Sequence, residues 1–190
     1  PFIKHITNVR SVNYLNVKGE IMNTFTTRDY AHMAIVTAIY IVLTITPPFN
    51  AIAYGAYQFR VSEMLNFLAF YHRKYLFAVT LGCMISNLYS FGMIDVFVGG
   101  GSTLLFVYLG TILFKQYQKD YLFNGLINKA FFFFSFFFAA SMITVAVELK
   151  IVAGLPLLLT WLTTAVGELA SLLVGAVLVD KLSRHVDFTK

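Results

Sequence analysis

Apolar residues in this chain come in long runs, not in the alternation of a half-buried strand or the narrow stripe of a soluble helix. A membrane crossing needs about 20 such residues, with a range of roughly 17–25. The first run extends from Arg28 to Ile45 and stops at Thr46-Pro47-Pro48, where proline removes the donors a helix needs. Thr27 or Asp29 suits its N-cap. Further crossings are expected over Lys74–Ser90, Ile94–Phe114, Asn128–Val147 and Pro156–Val179, with Pro156 in the first turn of the last. The second segment breaks the pattern. Between Pro48 and His72 the chain is apolar, yet Gly55, Gln58, Arg60 and Glu63 interrupt it, and only Val61–Tyr71 reads as clean helix. Irregular backbone at membrane depth persists only where protein or a cavity surrounds it. The pattern therefore predicts an all-α polytopic membrane protein: six transmembrane helices with an irregular connection between the first two.

Composition strengthens this reading. Hydrophobic residues make up 58% of the 190 and charged residues only 12%, about half the charge of a soluble chain. The net charge of +5 comes from scattered Lys and Arg, which points to topology and away from nucleic acid. With the N-terminus inside, Arg28, Arg73, Lys74, Lys115, Lys119, Lys129, Lys181, Arg184 and Lys190 all fall on the cytoplasmic side, against Arg60 and Lys150 outside. That imbalance predicts cytoplasmic termini. Residues 1–21 have neither helical period nor the apolar core of a signal peptide. Because Met22 precedes the first run, 1–21 reads as an upstream extension and 22–190 as a single six-helix domain. The single cysteine, Cys83, excludes an internal disulfide.

This orientation gathers the polar residues of the spans into one outer layer. Gln58, Arg60 and Glu63 lie in the first outer connection, Asn87 and Asp95 at the outer ends of the third and fourth spans, and Glu148 at that of the fifth. Trp161, Thr164, Glu168, Ser171 and Gly175 recur at steps of three and four, so they share one stripe of the last helix. Ser141, Thr144 and Glu148 do the same on the fifth span, and Asp95, Gly99 and Ser102 on the fourth. Stripes facing one another make an outward cavity with carboxylate acceptors and one aromatic platform, which suits a flat solute rich in N–H donors. The substrate-binding candidates are Arg60, Glu63, Asn87, Asp95, Glu148, Trp161, Thr164 and Glu168. Each has a structural reading beside it: Arg60 and Glu63 as a pair fixing the loop, Glu148 and Lys150 as an interfacial pair, Asp95 as a helix cap, Asn87 as an interhelical bond, Trp161 as part of the interfacial aromatic belt. Glu168 resists one, because a mid-span carboxylate with no sequence-local cation needs a partner.

No His-Glu-x-x-His, Walker A or Gly-x-Ser-x-Gly pattern occurs, so no catalytic residue, metal or cofactor is expected. Ala31, Ala34 and Ala38 form a small-residue face on the first helix, where another helix can approach closely. A self-contained secondary transporter or channel is the alternative. Against it, no inverted repeat is evident, and the polar cluster does not continue to the inner face.

Several elements resemble the substrate-binding S components of energy-coupling factor (ECF) transporters, within them the QueT-like family. They are Thr27-Arg28-Asp29 before an Ala-rich helix, Gln58-Phe59-Arg60-Val61-Ser62-Glu63, Leu81 to Leu88, and Gly92-Met93-Ile94-Asp95-Val96-Phe97-Val98-Gly99. The resemblance covers about Met22 to Ser183. It implies a six-helix subunit of the bacterial cytoplasmic membrane that captures a micronutrient from outside, docked on a transmembrane coupling protein and two ATPases that bind the ATP. It also implies that Ala31, Ala34 and Ala38 lie on a docking face, and that the solute is a heteroaromatic micronutrient. Relatives handle a 7-deazaguanine precursor of queuosine, hydroxymethylpyrimidine or B6 vitamers.

Overall fold

A computed structural model describes residues 25–54, 58–89 and 92–190. The extension expected over 1–21 and Gly55 lie outside the described residues. By internal packing the chain divides into Pro1–Ala31 and His32–Lys190. In the first unit, the Thr26 backbone N–H and hydroxyl donate to the Asp29 carboxylate at 2.9 and 2.7 Å. The Asp29 N–H in turn donates to the Thr26 hydroxyl at 3.3 Å. This reciprocal cap starts helix α1, Thr27–Ile45, one residue before the expected cap.

The remaining elements are α2 (Phe49–Ala53), a 3-10 helix over Val61–Phe70, α3 (Lys74–Asn87), α4 (Met93–Phe114), a two-stranded hairpin of β1 (Tyr121–Leu122) and β2 (Ile127–Asn128), α5 (Lys129–Ser141), α6 (Ile143–Ala153) and α7 (Leu157–Ser183). The hairpin is antiparallel, pairing Tyr121 with Asn128. Four helical stretches are long and apolar enough to cross a bilayer: Thr27–Ile45, Met93–Tyr117, Lys129–Ala153 and Leu157–Ser183. The chain is thus a multi-pass helical membrane protein.

Two segments differ in detail from the expected ones. The segment after Arg60 is a 3-10 helix of ten residues, long for that form. At about 2.0 Å per residue it reaches about 20 Å, against about 15 Å as an α-helix. The fifth apolar run is two helices meeting at Met142, where the Ser141 hydroxyl donates to the Phe138 carbonyl at 2.6 Å and Thr144 to that of Ser141 at 2.9 Å. Such back-bonding competes with the helical ladder and bends it. The run also continues past Glu148 and Lys150 to Gly154, whose left-handed φ of 69° caps α6.

The 3-10 helix packs against α3, α4 and α7. Phe67 and Phe70 are buried there among Phe131 and Phe134 of α5, with the Phe67 ring stacked on Phe131 at 4.4 Å. It comes close to α7 at Gly175, where a Cβ would stand 2.9 Å from the Met64 Cα. Only glycine lets the backbones meet this closely.

Candidate functional site

In a 3-10 helix, side chains three apart eclipse one another. The Val61–Phe70 helix, with Arg60 as its N-cap, therefore lines up Arg60, Glu63 and Asn66. All three are buried, at 8%, 3% and 0% exposure. Glu63 is well supplied with donors. The Tyr40 hydroxyl of α1 donates to its Oε1 at 2.5 Å, and the Asn66 amide to its Oε2 at 2.6 Å.

Arg60 is held more loosely. Its Nη1 lies 4.0 Å from Glu63 Oε1, well beyond the 2.7–2.9 Å of a charge-assisted bond. Its guanidinium carbon sits 5.2 Å from the centre of the Tyr54 ring, and its Nε donates to nothing. The Arg60 carbonyl is tied down, accepting from the Ser171 hydroxyl of α7 at 2.5 Å. One turn before Ser171, Glu168 is 2% exposed and its Oε1 has no hydrogen-bond partner.

Arg60, Glu63 and Glu168 line one enclosed cavity with Gln58, Ser102 and Thr103, walled on its apolar side by Phe138 and Met142. Its free volume is about 10 Å³, room for one water molecule. The polar stripes read from helical spacing face inward. Ser102 of α4 donates to Thr144 of α6 at 2.9 Å, and Thr164, Glu168 and Ser171 of α7 are all buried.

The other predicted residues stand outside this cavity. Asn87 is buried at the end of α3, donates to the Asp95 carbonyl at 3.1 Å, and packs on Gly99, where a Cβ would collide with its amide. Asp95 is buried in the first turn of α4, where the helix dipole favours a carboxylate. Glu148 is buried at 4% exposure with neither oxygen hydrogen-bonded; Asp95 and Arg60 are the charges acting on it. It opens onto a second groove of about 420 Å³ lined by Ile94, Val98, Val147 and Ile151. The Trp161 ring N–H donates to the Ala140 carbonyl at 3.1 Å, fixing α7 to the end of α5. The Thr164 hydroxyl donates to Thr160 of its own helix at 2.8 Å. Ala34 and Ala38 are exposed on α1.

Sequence reasoning passed over Tyr40, which reads as one more aromatic residue in an apolar helix. Its one signal is weak. Thr37, Tyr40 and Thr44 follow a step of three and then four, so the helix carries its hydroxyls on one buried face. Among the described residues, no group of His, Cys, Asp and Glu is placed to hold a metal ion.

Similarity to known proteins agrees with this architecture. The family model described as "QueT transporter" matches residues 30–184. A queuosine precursor transporter, QueT, of Lactococcus lactis subsp. cremoris (strain MG1363) is 57% identical over 164 residues, covering 86% of this chain and 97% of that protein. No solved structure matches. The helices describe a multi-pass membrane protein and the similarities a transporter, and the chain belongs to the QueT transporter family.

Proposed function

We propose that this chain is the substrate-capture subunit of an energy-coupling factor importer in the bacterial cytoplasmic membrane, and that it takes up a 7-deazaguanine precursor of queuosine. The observation that carries this reading is a pair of unsatisfied groups in one cavity: the Arg60 Nε donor and the Glu168 Oε1 acceptor. Buried polar groups are nearly always hydrogen-bonded, and an orphan costs about 1–3 kcal/mol. A donor and an acceptor left open together match a solute that offers both. A 7-deazaguanine does so, with ring and exocyclic N–H groups for Glu168 and a carbonyl for Arg60. Glu63, already holding two donors, organises the wall; Asn87 and Asp95 brace it from α3 and α4.

The same reading gives six crossings with both termini cytoplasmic. The 3-10 helix and the 14-residue α3 make the two short crossings, and Lys and Arg set the direction. It also places a coupling protein against the Ala31, Ala34 and Ala38 face and leaves ATP to two partner ATPases. Small-molecule sites run to roughly 300–1,000 Å³, so the walls of a cavity of about 10 Å³ must part to admit a heterocycle. The Ser171–Arg60 bond is a tie that such opening has to strain or release.

Calorimetry on the purified chain, without ATP, tests this with a panel of 7-deazaguanines, hydroxymethylpyrimidine and pyridoxine. A deazaguanine is expected to bind; silence across the panel overturns the reading, and a preferred pyrimidine or pyridoxine reassigns the solute. Glu168→Gln should weaken binding by about 1.5–3 kcal/mol, the worth of a hydrogen bond to a charged group. Uptake into liposomes by this chain alone would instead make it a self-contained transporter.

A further inference from the structure

Tyr40 and Arg60 approach the same oxygen. Glu63 Oε1 accepts the Tyr40 hydroxyl at 2.5 Å and stands 4.0 Å from Arg60 Nη1. A carboxylate and a guanidinium buried three residues apart on an eclipsed face ordinarily close to a fork of two short bonds. Here they do not. The donors explain why: Tyr40 on one oxygen and Asn66 on the other, at 2.6 Å, fix the plane of the carboxylate and satisfy much of its charge. Tyr40 itself is rigidly placed. It is fully buried, packed on Gly82 of α3 where a Cβ would meet its ring, and flanked by Thr44, whose hydroxyl donates to Ser62 at 2.7 Å. The result is a guanidinium near the Tyr54 ring, on a residue that lines the cavity, with its Nε donor unused.

We propose that Tyr40, with Asn66, is a positioning residue of the solute site: by occupying Glu63 it keeps the Arg60 guanidinium free for the solute. Tyr40 is not among the cavity-lining residues, so it acts without touching the solute. Freed of the hydroxyl, Glu63 needs to shift by only about 1 Å to reach bonding distance of Arg60, and the solute then has to compete with an intramolecular carboxylate.

This rests on the proposed solute site, and two readouts separate the two ideas. The first is ligand-free: the NMR signal of the Arg60 Nε–H, assigned with Arg60→Lys, reports whether that donor is engaged by a carboxylate. It should move in Tyr40→Phe and return in Tyr40→Phe/Glu63→Gln, where residue 63 no longer carries the charge that captures the guanidinium. The second is calorimetry with the deazaguanine panel. Tyr40→Phe should weaken binding on the order of tenfold or more, about one hydrogen bond to a charged group. The double variant should bind as Glu63→Gln does.

An Arg60 signal that stays put in Tyr40→Phe overturns the proposal, and so does a binding loss of the same size in the Glu63→Gln background, which would mean direct contact or simple loss of packing. If Tyr40→Phe is not recovered folded, Asn66→Ala frees the other oxygen. The same shift is then expected, and its absence counts equally against the proposal. Wild-type protein that binds nothing in the panel removes the solute assignment, while the Arg60 signal still decides whether Tyr40 governs the guanidinium.

Discussion

The two ends of the helical unit treat charge in opposite ways. At the end holding α7's last turn, the buried charges Asp180 and Lys74 are both answered. Asp180, 3% exposed, accepts from the Tyr121 hydroxyl at 3.0 Å and the Arg184 guanidinium at 2.7 Å. Lys74, fully buried, donates to the Lys190 carbonyl at 2.7 Å and lies 3.1 Å from His32. Hydrogen bonds from the Thr189 hydroxyl and amide hold the Asp187 carboxyl down at about 2. At the other end Arg60, Glu148 and Glu168 are as deeply buried, yet each keeps polar atoms unanswered. Burial without a partner is where desolvation costs most. The difference separates groups that hold the fold from groups kept for something else.

The sharpest way to break this contrast is to remove one member at each end. Arg60→Ala takes away the cavity's one lining cation among the described residues and leaves Glu63 and Glu168 buried against each other. Breaking a buried pair this way costs about 3–5 kcal/mol. Asp180→Asn keeps an acceptor for Tyr121 and loses an ion pair whose arginine side chain is 55% exposed, so a much smaller loss is expected, because water screens that pair. Denaturant titration of the detergent-solubilised protein compares them directly. Equal losses would mean that the two ends are held in the same way.

Backbone contact ranks next. Gly175→Ala drives a methyl into the Met64 backbone at 2.9 Å, where no flexible side chain can yield. Overpacking of this kind costs about 1–3 kcal/mol, and it displaces the helix that carries Arg60. Both the melting temperature and affinity for the proposed solute should fall together. A fall in stability with affinity intact would show that the site tolerates movement of its main wall.

Glu168 and the Arg60–Glu63 pair were legible because charge inside a long apolar run has no bland explanation. The inward stripes on α4, α6 and α7 were legible too, because helical period assigns faces without reference to neighbours. Tyr40 was not: its role depends on a long-range contact to Glu63, and an aromatic residue in an apolar helix carries no mark of it. The 3-10 form of Val61–Phe70 was hidden for a related reason. Apolar composition allows either helix, and packing against α3, α4 and α7 decides. The break at Met142 lay within local reach, since Ser141 and Thr144 flank it, but hydroxyl back-bonding bends a helix only in some settings.

The smallest effect belongs to the exposed pair of Lys129 and Asp120, 3.6 Å apart with side chains 31% and 56% exposed. Exposed pairs contribute about 0–1 kcal/mol, because water screens the attraction and two long side chains lose freedom. Lys129 also lies 4.9 Å from the Tyr117 ring, so Lys129→Gln gives up a cation–π contact worth a similar amount at such a site. The backbone bond from Lys129 N–H to the Asp120 carbonyl, at 2.9 Å, survives the substitution and keeps the hairpin closed. Lys129→Gln should therefore shift stability by under about 1 kcal/mol, and the shift should shrink toward 1 M salt as the Debye length falls to about 3 Å. Arg60→Ala, measured in the same series, should lose as much at high salt as at low, because its partners are out of reach of the solvent ions.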